Sequence, residues 1–170
     1  LIPINRLHAY RRLGFALVAI ACVAALLFAF YAQYQWGLEP CPLCIFQRLV
    51  FVALALIAGV TSLIHPRAWG LHLASLLTLG TALIGAGLAA RQLWLQYLPA
   101  DQVPLCGPGL EYLIETLPLS SVIQHVLSGS GECAKLTWSL LGISMPGWVL
   151  AFFSVVVLFT LWQCQCRGKY

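Results

Sequence analysis

The stretch CPLCIFQRLVFVALALIAGVTSLI, residues 41–64, opens with two cysteines in C-x-x-C spacing and runs straight into an apolar segment, 45–64, whose single formal charge is Arg48. A helix needs roughly 20 mostly apolar residues to cross a hydrocarbon core of about 30 Å. Three further runs of this kind flank it, 14–32, 71–90 and 145–162, and none of the four holds an acidic residue. Across 170 residues the chain is 61% hydrophobic and 8% charged, with a mean hydropathy of +0.90. That leaves too few polar side chains to cover a water-soluble globule of this size. The expected fold is an all-α membrane protein: one domain over 1–170, built as a four-helix transmembrane bundle. The first run follows Arg6, Arg11 and Arg12 as a signal peptide would, yet it is long and lacks a small-x-small cleavage site, so it is expected to stay as an anchor.

Charge placement sets the orientation, because Lys and Arg in short flanking segments are retained in the cytoplasm. Arg6, Arg11, Arg12, Arg67, Arg167 and Lys169 flank one side. The other carries Lys135, Arg91 and all five acids, Glu39, Asp101, Glu111, Glu115 and Glu132. Both termini are therefore expected in the cytoplasm, with two outer loops at 33–44 and 91–144. The net charge of +4 is accounted for by topology and does not indicate a nucleic-acid surface.

The second outer loop is long for so small a bundle, and long loops of this kind are usually functional or disordered. Leu110, Leu113, Ile114 and Leu117 fall at helical spacing with Glu111 and Glu115 off that face, which predicts a short amphipathic helix on the membrane surface or against the bundle. Gly and Pro residues flank both of its cysteines, Cys106 and Cys133, and place them on flexible chain.

Seven cysteines separate into two groups under this topology. Cys22 sits mid-helix and reads as a small buried hydrophobe. Cys164 and Cys166 lie at the reducing, cytoplasmic end. Cys41, Cys44, Cys106 and Cys133 face outward, where four thiols allow three disulfide connectivities. Proximity favours Cys41 with Cys44 and leaves Cys106 with Cys133. A staple explains the second pair as well as redox chemistry does. It explains the first poorly, because closing a four-residue turn removes little chain entropy.

The surroundings of the first pair favour redox chemistry. Pro42 fits the first turn of a helix, where its missing N–H is no loss. Cys41 then falls near the N-cap and Cys44 in the first turn, where free N–H groups and the helix dipole favour a thiolate. Arg48 lies four residues beyond Cys44 on the same face. A guanidinium there can lower the thiol's pKa and donate to a carbonyl or anionic oxygen of a ligand. Exchange among disulfides yields no net oxidation, so a terminal electron acceptor is required. Ile45 after Cys44 excludes a c-type haem attachment. Residues 85–90, GAGLAA, match a dinucleotide fingerprint only superficially, since they lie inside a transmembrane run and are better explained by close helix packing. A lipid-soluble quinone remains by elimination.

The segment 40–48 (PCPLCIFQR), Leu95-Gln96-Tyr97, Cys106, Gly131-Glu132-Cys133, Trp138 and the segment 141–148 (LGISMPGW) together resemble the DsbB family of bacterial inner-membrane disulfide oxidoreductases. The resemblance covers the outer half of the chain and agrees in helix count and loop cysteines. It implies that a reduced periplasmic DsbA-like oxidase attacks a Cys106–Cys133 disulfide and is held through Cys106. Cys133 is then free to engage Cys41, and the Cys44 thiolate, paired with Arg48, passes electrons to ubiquinone or menaquinone. The catalytic residues expected are Cys41, Cys44, Cys106 and Cys133, with Arg48, Gln47 and Arg91 at the quinone and no metal site. Gln47 stands where the family often has Glu, and Arg91 where the third helix can end in His near the quinone. The competing reading is a structural tetraspan protein with stapling outer disulfides, which expects those disulfides to be inert.

Overall fold

A computed structural model describes residues 4–64, 68–99, 101–104, 110–136 and 138–165; Cys106 and Cys166 lie outside the described residues. Four long helices, α1 (Ile4–Trp36), α2 (Pro42–Ile64), α3 (Ala68–Tyr97) and α7 (Met145–Gln165), each contain one of the four apolar runs. All four are long and apolar enough to cross a membrane, and the chain is a multi-pass membrane protein. Helix α2 packs against α1 and α3, and α3 against α7. Their outward surfaces carry large apolar side chains such as Leu56, Leu63, Ile84 and Leu158, exposed as lipid-facing positions require.

Local chemistry fixes the helix ends at the cysteine-bearing end of the bundle. Pro42 opens α2, and Ile45 N–H donates to Cys41 O at 3.1 Å, making Cys41 the N-cap. Helix α3 stops at Tyr97 because Leu98 precedes Pro99, and a residue before proline disfavours the helical region. Two expected loops are shorter than the hydropathy indicated. Helix α1 continues through Gln33 to Trp36, so the first connection spans only 37–41. Helix α3 carries Arg91, Gln92 and Gln96 as helical residues, because Leu88, Gln92 and Leu95 continue one buried face past the apolar run.

The bundle core is small and aromatic. Phe51 of α2 lies 4.8 Å from Phe153 and 5.2 Å from Phe152, ring centre to ring centre. Gly85 explains how α7 approaches α3 so closely: a Cβ at this position would sit 2.5 Å from the Phe153 ring. The close-packing role read from residues 85–90 therefore belongs to Gly85. A Cβ at Gly87 would meet no neighbouring element within 4 Å among the described residues.

The second connection holds more structure than one amphipathic helix. It forms α4 (Leu110–Thr116), α5 (Leu119–Ser128), α6 (Gly131–Ala134) and an antiparallel hairpin of β1 (Ser139–Leu140) and β2 (Ile143–Ser144). Leu113, Val122 and Val126 turn inward and join Leu43, Leu88 and Leu95 in a second apolar cluster directly beneath the cysteines. The hairpin turns on Leu141 and Gly142, both at positive φ, as a two-residue turn matched to strand twist requires. Trp148 Nε1 donates to Leu140 O at 3.3 Å and ties the hairpin to α7.

Candidate active site

Three of the four outer cysteines converge at the N-terminus of α2. Cys41 is 7% exposed and Cys133 1%, while Cys44 is half-buried. The Cys41 and Cys44 sulfurs are 3.1 Å apart as hydrogen-bonded thiols, and Cys41 also hydrogen-bonds Cys133. Cys133 is delivered by α6, whose first turn places Cys133 N–H 2.9 Å from Ser130 O and the Ser130 hydroxyl 3.6 Å from Cys133 Sγ.

The sulfurs outside the membrane-spanning segment differ in proton affinity. Cys133 is lowered to about 6, chiefly by the hydrogen bond from Cys41. Burial opposes this shift, and the backbone N–H groups of Ser130 and Leu43 reinforce it. The Leu43 donor belongs to the first turn of α2, where free N–H groups favour an anion. Cys41 moves the other way, well above the thiol range, because it hydrogen-bonds both Cys133 and Cys44 and is itself buried.

A cavity of about 380 Å³ opens beside Cys44. Its walls come from α1 (Phe28, Ala29), α2 (Cys44, Gln47, Arg48, Phe51), α3 (Gln92, Gln96), the hairpin side (Trp138) and α7 (Trp148, Phe152). Aromatic walls with a few convergent polar groups are the usual make-up of a small-molecule site, and the volume lies within the roughly 300–1,000 Å³ range of such sites.

Arg48 reaches this cavity as its place on the Cys44 face requires, but it is steadied by α1. Its guanidinium donates to Gln33 Oε1 and, at 3.2 Å, to Ala29 O, and lies 5.0 Å from the centre of the Phe30 ring. The amide donor on the Cys44 sulfur is Gln92, a residue that sequence reasoning passed over. Gln92 Nε2 lies 3.2 Å from Cys44 Sγ and 3.5 Å from Cys41 Sγ, and Gln92 Oε1 accepts from Gln47 Nε2 at 2.8 Å. Gln47 is thus buried between the cavity and this amide. Arg91 does not line the cavity. Its Nε donates to Leu127 O at 3.1 Å and its Nη2 to Ser128 O at 3.0 Å, closing the C-terminus of α5. The cause is helical phase: one step along α3 turns Arg91 toward α5 and Gln92 toward the sulfurs. A glutamine near the end of an apolar run was the available signal for the missed residue.

The family model of the disulfide bond formation protein DsbB matches residues 11–163. The chain belongs to the DsbB family. It is 52% identical to Disulfide bond formation protein B of Chromobacterium violaceum over 168 residues, which cover 96% of this chain and 98% of that relative. It is 49% identical to the protein of the same name from Acinetobacter baylyi over 89% of each chain. The Acinetobacter baumannii protein is 46% identical over 89% of this chain and 90% of its own. The three clustered sulfurs and the segment that carries Cys106 all fall inside the matched range.

Proposed function

We propose that this chain, a membrane thiol–disulfide oxidoreductase by family, reoxidises a DsbA-like periplasmic thiol oxidase and passes the electrons to ubiquinone or menaquinone. The observation that carries the reading is the contact of Cys41 with both Cys44 and Cys133 at the wall of a cavity that also holds Arg48. The charge distribution supports an inner-membrane orientation with both termini cytoplasmic and the sulfurs on the periplasmic side.

The exchange steps implied by the family resemblance are supported, on the Cys41 side, by the sulfur contacts. A thiolate of the reduced partner attacks Cys106 in the Cys106–Cys133 disulfide; that bond breaks and Cys133 leaves as a thiolate, the form its surroundings favour. With Cys41 and Cys44 joined as a disulfide, Cys133 then attacks Cys41, with which it is in contact; the Cys41–Cys44 bond breaks, a Cys41–Cys133 bond forms and Cys44 is released as a thiolate beside the cavity. The partner's second thiolate resolves the mixed disulfide, so the partner leaves oxidised and Cys106 is released. Cys106 attacks Cys133, breaking the Cys41–Cys133 bond, restoring the Cys106–Cys133 disulfide and releasing Cys41, so that Cys41 and Cys44 hold two electrons more than at the start.

The cavity residues fit a quinone: aromatic walls, Arg48 N–H donors uncommitted among the described residues for a carbonyl oxygen, and Cys44 in the lining. Arg48 has five N–H groups, of which two are committed to α1. A quinone held there would supply the two-electron, two-proton sink that returns Cys41 and Cys44 to a disulfide.

The test is quinone consumption by the purified protein in detergent, with a reduced DsbA-type protein as donor. Turnover with the wild type and its loss in both Cys44→Ser and Cys106→Ser is expected. Full turnover in either variant, or none in the wild type with ubiquinone or menaquinone, would refute the proposal.

A further inference from the structure

We propose that Gln92 is a positioning residue for the reactive sulfurs, its side-chain amide locked by Gln47 into the one orientation that donates N–H bonds to Cys44 and Cys41. The inference rests on the reading above, in which Cys44 must become a thiolate beside the cavity.

A buried carboxamide is costly unless both ends find partners. Gln92 is 4% exposed and Gln47 5%, so each must be satisfied by protein. The Gln92 amide has two faces of opposite character, an oxygen that only accepts and an NH2 that only donates. Turned one way it stabilises a sulfur anion; turned the other way it sets its oxygen against that anion. The Gln47 NH2, 2.8 Å from Gln92 Oε1, occupies the oxygen and decides between the two. The Gln92 NH2 is thereby aimed at Cys44 Sγ, 3.2 Å away, and Cys41 Sγ, 3.5 Å away. A hydrogen bond to the charged form of a group favours that form.

The arrangement also fixes geometry. Gln47 and the C-x-x-C lie on α2, whereas Gln92 comes from α3, so one amide pins both sulfurs to the neighbouring helix. The Cys44 sulfur lies between Cys41 Sγ, 3.1 Å away, and the Gln92 NH2, 3.2 Å away. Arg48 is left free to act on a ligand, its guanidinium being held by Gln33 and Ala29.

The experiment measures Cys44 alkylation against pH in the reduced, full-length protein in detergent, with the modified site read by mass spectrometry. Gln92→Glu keeps the size of the side chain and replaces the donor by an oxygen. The midpoint for Cys44 is expected to rise by about one pH unit in this variant, a tenfold change in the thiolate-to-thiol ratio, equal to about 1.4 kcal/mol. Gln47→Met, which leaves Gln92 in place but frees its amide to turn, is expected to move the midpoint in the same direction by less. An unchanged Cys44 midpoint in Gln92→Glu overturns the inference; should that variant not fold, an unchanged midpoint in Gln47→Met does so. Quinone turnover of the wild type is recorded in parallel and separates the two readings. An unchanged midpoint with normal turnover removes the Gln92 role alone, whereas a shifted midpoint without turnover supports that role and removes the proposed function.

Discussion

Replacing Cys41 by alanine should change how Cys133 titrates, because the hydrogen bond from Cys41 is the largest influence holding Cys133 at about 6. A thiol of pKa 9.0 is about 1% ionised at pH 7, whereas one at about 6 is about 90% ionised. The gain in rate is much smaller than this ratio. Thiolate nucleophilicity falls with pKa along a Brønsted slope of roughly 0.4–0.5, so three pH units cost about 15–30-fold and leave a net advantage of only about 3–6-fold at pH 7. The pH midpoint is therefore the diagnostic quantity. In reduced wild-type protein, Cys133 alkylation resolved by mass spectrometry should rise through about pH 6 and then level off. In Cys41→Ala the rise should move to higher pH, because the principal donor is gone while burial still disfavours the anion. A wild-type midpoint near 9, or one indifferent to Cys41→Ala, would refute the assignment of Cys133 as the ready leaving group.

Arg48→Ala is expected to raise the quinone KM by roughly 10–100-fold, the loss of a charged donor worth about 1.5–3 kcal/mol, while thiol exchange with the partner continues; an unchanged KM in steady-state assays would reduce Arg48 to a tie onto α1. Arg91→Ala should leave the quinone KM unchanged, because Arg91 does not line the cavity, and should instead loosen the α5 end ahead of Cys133. Hydrogen exchange across 125–134 should then quicken and partner-driven turnover slow by several-fold, and a raised KM with unaltered exchange would place Arg91 at the ligand after all.

Local rules made one half of the site legible. Pro42 at a helix start, two cysteines three apart and an arginine four further on are all set by the phase of a single helix, so their mutual placement required no tertiary information. The other half depends on contacts 45 to 51 residues apart, Gln47 with Gln92 and Gln92 with Cys41. Hydropathy also concealed Gln92. The apolar run ends at position 90, but α3 continues to Tyr97 because one face of its last two turns, Gln92 and Leu95, is buried against the cysteines and the α5 side. A window that senses only transfer to hydrocarbon closes a helix where its environment changes from lipid to protein. Helix α5 left a trace in Val122 and Val126, four apart after Pro118, although a run of ten residues is too short to distinguish from loop by period alone. The hairpin turn at Leu141 and Gly142 places a non-glycine residue at φ 55, a conformation that sequence preference argues against.

The position of Cys41 explains why one buried sulfur can serve two exchange reactions. As N-cap of α2 it stands outside the helical ladder, so its side chain is reached from the α6 side by Cys133 and from the first turn by Cys44. Cys44, inside that turn, contacts Cys41 and borders the cavity, whereas the hydrogen-bond contact of Cys133 is with Cys41. On the proposed route the order N-cap, proline, leucine, first-turn cysteine sets a direction as well as a spacing: electrons would enter at the capped end from α6 and leave at the helical end beside Arg48. Leu43, fully buried between the two cysteines, seals the apolar side beneath them. The exchange is thereby confined to the sulfurs, and the Leu43 main-chain N–H still reaches Cys133.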